Sequence, residues 1–251
     1  MNNLTVAILT RNEEENIIDC IDNVKSLGSI IIVDDNSSDH TLDAIKALKD
    51  SKIKIFKREL DDFSSQRNFA LEKTETDWVL FVDADERVGE SLKKEIEKVL
   101  KTESKVDGYK LKRVDIFGGR KLEHGETKNI QLVRLGKKSS GKWKGKVHEV
   151  WDVKNVSSLS GEIMHSPHPR IGQFLSEINY YSTLRAEELY EQRVKVNFLS
   201  ILAYPSGKFV YNYFLKLGFL DGTPGLVMSI FMSFHSFLVR GKLFLLYRRE
   251  R

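Results

Sequence analysis

The amino-acid sequence predicts an α/β protein built on a doubly wound, mostly parallel sheet and continued by a helical extension. Three observations carry that prediction. Short apolar runs, residues 78–82 foremost, are too brief for helices and lack helical periodicity, so they read as strands buried on both faces. Stretches with helical spacing lie between them, and strands alternating with helices imply parallel pairing through right-handed crossovers. Several of the strand-like runs end in carboxylates, and in such sheets ligands bind beyond the carboxyl ends of the strands.

The elements follow in order. Residues 5–9 form the first strand, and Thr10-Arg11-Asn12-Glu13-Glu14-Glu15 comes next. Asn12 and Glu15 stand at capping-box spacing, which predicts a helix beginning there. Ile17, Ile21, Val24 and Leu27 recur at helical intervals, with Gly28 as a stop. Residues 29–33 make a second strand that ends in Asp34-Asp35-Asn36-Ser37-Ser38-Asp39, and Leu42, Ile45 and Leu48 mark the next helix. Residues 53–56 are a third strand, and 63–71 read as a helix capped by a serine. The fourth strand, 78–82, runs into Asp83-Ala84-Asp85-Glu86. From residue 105 the pattern changes. Residues 108–114 and 130–135 read as further strands, Gly118-Gly119 as a turn and 137–142 as a loop. Pro167 and Pro169 mark the passage out of the sheet, which predicts a sheet domain over 1–169 and a helical region over 170–251.

A chain of 251 residues with 41% hydrophobic content can hold one large core, or a core and an appendage. A single cysteine, Cys20, excludes an internal disulfide and fits a reducing compartment. Met1-Asn2-Asn3 leads straight into a strand-like run, so no N-terminal signal is expected. Charge is unevenly placed. Residues 207–251 carry seven Lys/Arg against Asp221 and Glu250, while the first 206 carry 33 basic and 34 acidic groups. That distribution argues against a nucleic-acid footprint and for a local anionic partner at the C-terminus. The first half has neither a Gly-x-Gly-x-x-Gly nor a P-loop motif, so a dinucleotide fold and a P-loop are unsupported.

Asp83, Asp85 and Glu86 cannot sit unpaired in a core, because burying lone charge is prohibitive. At an open sheet end they repel one another unless a cation joins them. A hard divalent ion would do so, keeping some waters and binding substrate phosphates as well. The plain alternative is that Asp83 or Asp85 caps a following helix. Thr10, Asp34, Asp35, Asp83 and Asp85 all fall at strand ends, which tips the balance to a metal and phosphate site.

The ordered segments Leu9-Thr10-Arg11-Asn12-Glu13, Val33-Asp34-Asp35-Asn36-Ser37-Ser38-Asp39, Gln66-Arg67-Asn68 and Asp83-Ala84-Asp85-Glu86 resemble a family 2 glycosyltransferase of the GT-A fold. Lys146-Val147-His148-Glu149 and Gly218-Phe219-Leu220-Asp221-Gly222 are similar to the small bacterial branch that includes lipopolysaccharide core glycosyltransferases. The resemblance implies roles. Thr10 and Asp35 would hold the nucleotide base, usually uracil, with Arg67 near the base or the diphosphate. Asp83 would contact the ribose or the metal side, and Asp85 would ligate Mg²⁺ or Mn²⁺ bridging the diphosphate. A divalent cation suits a leaving diphosphate, whose negative charge grows as the sugar departs. Other readings remain open: Thr10 and Asp39 as helix caps, and Arg67 paired at the surface with Asp61 or Asp62.

Inverting transfer needs a general base near the anomeric carbon. Glu149 is the candidate, with a structural role as its alternative, and Asp152 is the second choice. Trp143 and Trp151 lie close by in sequence, and Trp143 is either a sugar platform or a core anchor. His165 is a candidate third metal ligand, as the fold implies, or a structural histidine; His168 flanks Pro167 beside it. No cysteine–histidine spacing suggests zinc.

Residues 173–193 have a helical pattern, followed by aromatic-rich 209–215 and an apolar run over 226–239, shorter than the roughly 20 residues a spanning helix needs. Arg240, Lys242, Arg248, Arg249 and Arg251 then follow. An apolar face with basic flanks suits an interfacial helix on an anionic leaflet, although residues 209–215 could equally pack against the sheet domain or another copy. The expectation is therefore an inverting, metal-dependent transferase at the cytoplasmic face of the membrane. It would take a nucleotide-sugar donor, UDP-linked, and a saccharide or lipid-linked acceptor of the cell envelope. The rivals are a nucleotidyltransferase and a saccharide-binding or scaffold protein without catalysis.

Overall fold

A computed structural model describes residues 3–102, 105–126, 128, 130–145, 149–166 and 171–249. Lys146, Val147, His148, Pro167, His168, Pro169 and Arg251 lie outside the described residues. The chain divides into two compact units, one of 1–113 with 129–165 and the other of 114–128 with 166–251. Residues 114–128, which read as part of the sheet domain, therefore cluster with the C-terminal helices.

In the first unit, β1 (Leu4–Thr10), β2 (Ser29–Asp34), β3 (Ile53–Lys57) and β4 (Trp78–Asp83) pair in parallel in the order β3-β2-β1-β4. Beyond β4 the sheet continues through β8 (Ile130–Lys137), β6 (Gly108–Phe117), β11 (Val156–His165) and β5 (Glu86–Val88), and the short β7 (Arg120–Lys121) pairs with the end of β6. The β4–β8, β8–β6 and β11–β5 pairs are antiparallel. A second small sheet pairs β9 (Gly141–Lys144) with β10 (Val150–Val153).

Alternate side chains along the central strands serve two cores. Leu4, Val6 and Ile8 face one side, where α1 (Ile17–Val24), α2 (Thr41–Ala47) and α4 (Glu90–Lys101) contribute Ile17, Ile21, Leu42, Leu92 and Ile96. Ala7, Val79 and Phe81 face the other, against Ala70 and Leu71 of α3 (Phe63–Lys73) and the two tryptophans of the β9–β10 hairpin. Trp143 and Trp151 are 5% and 1% exposed, stacked at 5.6 Å, and meet the Phe81 ring edge-on at 5.0 and 5.2 Å. Trp143 is thus a core anchor and not a sugar platform. Gly28 is required where α1 returns to β2, since a Cβ there would lie 2.0 Å from the Leu4 carbonyl oxygen.

Three local expectations change. The first helix begins at Ile17, not Asn12, because Asn12 is left-handed (φ 54°) and its Oδ1 accepts from the Ser38 N–H at 2.8 Å. Its capping capacity goes to the neighbouring loop. Helix α3 is capped by Asp62, whose Oδ1 accepts from the Ser65 N–H at 2.7 Å, and not by a serine. Neither Asp83 nor Asp85 caps a helix, because β5 follows directly and α4 starts after Gly89.

The second unit is helical: α5 (Ile171–Glu191), α6 (Phe198–Val210), a π-helical turn (Tyr211–Leu215) and α7 (Gly222–Arg249). Ala186 and Leu189 pack on Val239 and Leu243. Asp221, just before α7, accepts from the His124 N–H at 2.9 Å and faces its ring Nδ1 at 2.7 Å. At 28 residues, α7 is far longer than its apolar run and is long enough to cross a bilayer. It nonetheless packs along α5 and α6 and carries Arg240 and Lys242. Four groups of α5 hold the Lys242 Nζ within 2.8 Å: the Asn179 carbonyl and Oδ1, Ser182 Oγ and Thr183 Oγ1.

Candidate active site

Register places the site. Thr10 lies opposite Asp34 and Leu9 opposite Asp83, so the carboxyl ends of β1, β2 and β4 are adjacent. At the β2 end, Asp34 is fully buried; its Oδ1 accepts from Ser37 Oγ at 2.5 Å and its Oδ2 from the Ser37 N–H at 3.1 Å. Asp35 donates its N–H to the Thr10 carbonyl at 2.9 Å. Its Oδ1 accepts from the Leu60 N–H at 2.9 Å, and its Oδ2 pairs with Arg11 Nη1 at 2.8 Å. Thr10 caps no helix, and its buried Oγ1 has no hydrogen-bond partner among the described residues. Asp39 does cap locally, its Oδ1 accepting from the N–H and Oγ1 of Thr41.

At the β4 end the carboxylates meet two buried arginines. Arg67 of α3 donates from Nε to Glu149 Oε1 at 2.9 Å, and from Nη2 to both Asp83 oxygens at 3.0 and 3.2 Å. Its guanidinium lies 4.8 Å over the Trp143 ring. Arg134 of β8 donates to Asp83 Oδ2 at 2.9 Å and stands 3.5 Å from Glu86 Oε1. Glu86 is 1% exposed, and its Oε2 accepts the Asp83 N–H at 2.9 Å. Arg67 is therefore no surface partner of Asp61, which pairs with Arg58.

These contacts set the protonation states. Burial opposes ionisation of Asp83, but Arg134 and Arg67 overcome it and hold the carboxyl far below the usual range. Burial raises Glu86, with Asp83 adding to the rise and Arg134 opposing it. Burial disfavours the charged form of Arg134, yet Asp83 and Glu86 keep it firmly protonated. Burial also pushes the Cys20 thiol up to about 12, which leaves it an inert core group.

Antiparallel pairing of β5 with β11 sets His165 opposite Glu86, beside the β4–β5 turn. There His165 Nε2 lies 3.2 Å from Asp85 Oδ2, with the two side chains 16% and 25% exposed. The structure thus unites Asp85 with His165, and Arg67 with Asp83 and Glu149. Both Asp83 oxygens go to guanidiniums, and no group of three His, Cys, Asp or Glu side chains gathers among the described residues. Asp152 stands apart from both sets: it alternates with buried Trp151, faces solvent and pairs with Lys144 at 2.5 Å. Lys144 holds its carboxyl below the ordinary value. Sequence reasoning assigned no role to Arg134, and it set Glu86 at an open sheet end beside a cation, whereas Glu86 is buried against Arg134 and the Asp83 N–H. The one signal was an arginine inside the otherwise apolar run Leu132-Val133-Arg134-Leu135.

A GT-A type sheet with an acidic rim and an Asp-x-Asp turn is the framework of a nucleotide-sugar transferase. The chain belongs to glycosyl transferase family 2, whose family model matches residues 5–153, and it is a glycosyltransferase. It is 27% identical to the lipopolysaccharide core biosynthesis glycosyltransferase LpsC of Rhizobium meliloti (strain 1021), over 96% of this chain and 92% of the relative. An uncharacterized glycosyltransferase of Rickettsia typhi is 26% identical over 97% of this chain and 87% of its own length. Two solved structures share the fold. One is S. aureus TarS 1–349 in complex with UDP-GlcNAc (TM-score 0.53, 15% identity, 99% of this chain and 92% of that one). The other is the mannosyltransferase PcManGT of Pyrobaculum calidifontis with GDP-Man and Mn²⁺ (TM-score 0.56, 13% identity, 96% and 87%).

Proposed function

We propose that this glycosyltransferase is inverting and metal-dependent. It moves a sugar from a UDP-linked donor to a saccharide or lipid-linked acceptor of a cell-envelope glycan, of the lipopolysaccharide core kind, at the cytoplasmic face of the membrane. The observation that carries the reading is the Asp85–His165 pair, set on the rim where β1, β2 and β4 end side by side. One carboxylate oxygen and one imidazole nitrogen fit a hard divalent ion that completes its shell with waters and donor phosphates. Bound there, Mg²⁺ or Mn²⁺ would offset the charge that grows on the departing diphosphate. The name of LpsC and the UDP-GlcNAc complex of TarS support the acceptor and donor classes.

The chain's own residues do the rest. Thr10, with its unpartnered Oγ1, and Asp35 hold the base. Arg67 and Arg134 each keep one Nη1 without a partner among the described residues, as donors to an anionic ligand. Asp83 fixes both arginines. Arg67 Nε holds Glu149 Oε1, which leaves Oε2 to take the proton of the acceptor hydroxyl. The hydroxyl oxygen attacks the anomeric carbon from the face opposite the diphosphate. The bond to the diphosphate oxygen breaks, its electron pair leaves with the nucleoside diphosphate, and the new linkage is inverted.

Thermal unfolding with a panel of nucleotide sugars, with and without Mn²⁺, tests this reading, since a ligand of the folded form raises apparent stability. UDP-sugars should protect the wild type, and protect it more with Mn²⁺. Asp85→Ala should stay folded but lose the Mn²⁺ increment and sugar transfer. A fully active Asp85→Ala would overturn the metal assignment, and selective protection by GDP-sugars would overturn the uridine assignment.

A further inference from the structure

The helical unit contains a cavity that the transfer chemistry does not use. It lies among α5, α6 and α7 and measures about 620 Å³, within the range of small-ligand sites. Three cations reach it, Arg185 from α5, Lys208 from α6 and Arg240 from α7, against one lining carboxylate, Glu126. Lys208 is bonded to Glu126. Arg185 pairs with Glu188, but both side chains are about half exposed, so that contact holds the charge weakly. Arg240 has no carboxylate partner among the described residues; its guanidinium lies 3.8 Å over the Tyr204 ring. That stacking orients the cation without neutralising it. His235 lines the same space, and burial, followed by Lys208 and Lys242, holds it below the ordinary histidine value.

The rest of the lining is apolar. Leu189, Ala203 and Val239 form part of the wall, while Tyr204 and Tyr211 line the cavity yet are 53% and 40% exposed. The turn after α6 also carries Phe214 and Leu215, exposed by 53% and 70%, and the start of α6 exposes Phe198 and Leu199. A site for a soluble anion has no need of so much unburied apolar surface. A phosphate ester bearing acyl chains needs both halves: cations for the headgroup and an apolar strip for the chains.

We infer that this cavity binds the phosphate headgroup of an anionic phospholipid, whose chains lie along the exposed face of α6 and its π-helical turn. The inference rests on the membrane-surface part of the proposed function and names the site of attachment. It adds α6 to the apolar contact that the sequence pattern put on α7, where Ile230, Phe234, Phe237 and Leu245 are 40% to 57% exposed.

Sedimentation of the full chain with phosphatidylcholine vesicles, with and without phosphatidylglycerol, is the first test. Binding should require the anionic lipid. Arg240→Gln should weaken it about fivefold, and Arg240→Gln with Arg185→Gln about 25-fold, from roughly 1 kcal/mol per basic residue near an anionic surface. Lys195→Gln removes a charge from the same unit outside the cavity and should leave binding unchanged. Equal weakening by Lys195→Gln, or equal binding to neutral vesicles, would overturn the site. A second arm compares a short-chain phosphatidic acid with glycerol phosphate; equal affinity for both would show a phosphate site and overturn the lipid assignment. Donor hydrolysis without acceptor, read as UDP release, should survive in Arg240→Gln. Its absence in the wild type would count against the UDP-linked donor and leave the vesicle result standing.

Discussion

At the end of β2 a buried carboxylate is held by neutral donors three residues away, whereas at the end of β4 a partly exposed one is held by buried guanidiniums 16 and 51 residues away. Asp34 closes a loop on Ser37, so its environment forms as soon as the local chain turns. Asp83 depends on Arg67 from α3 and Arg134 from β8, which arrive only when the sheet is assembled. The difference teaches how one rim serves two ends. Local neutral bonds shape a rigid loop beside the base-binding candidates. Remote charges build a network that keeps Asp83 ionised, and Glu149 is attached to it.

The largest expected effect lies where that network meets the chemistry. Glu149→Gln should retain donor binding and lower turnover by about 10²- to 10⁴-fold, the span ascribed to a positioned base. Steady-state transfer together with donor titration checks both halves, and undiminished turnover would place the base elsewhere. Next comes Arg134→Met, which leaves buried Glu86 without its guanidinium and partly exposed Asp83 with Arg67 alone. Chemical denaturation should show a loss of about 3 to 5 kcal/mol. Ser37→Ala at the β2 end should cost less, about 1.5 kcal/mol, because the Ser37 N–H still bonds Asp34. Equal losses from Ser37→Ala and Arg134→Met would break the comparison.

The smallest effect is one of pH. Asp83 is depressed in the folded state, so its contribution is complete above its unfolded value, about 3.9, and fades as pH falls through its folded value. Glu86 is raised and acts with the opposite sign. Its charge burdens the fold above its folded pKa, and acidification relieves that burden down to its unfolded value, about 4.3. Stability measured in denaturant should therefore improve in the wild type relative to Glu86→Gln as the solution is acidified through that window. Parallel pH profiles for the two proteins would show that Glu86 does not titrate within the network.

By itself the sequence determined the alternation of strands and helices and the acidic strand ends, because burial on both faces and local charge density are properties of contiguous residues. It pointed to Asp35 and Asp85 on the same grounds, while Glu149 came from the family resemblance, which also supplied the roles. It misplaced the start of α1, since Asn12 bonds Ser38 of another loop and no local pattern encodes that choice. Only the tertiary structure brought Arg134 to Asp83 and Glu86, set His165 beside Asp85, sent Asp152 to solvent and buried Trp143 against Phe81. Each of those outcomes depends on strand register and on pairing between residues far apart in the chain. Long-range pairing selects partners that composition and spacing leave open.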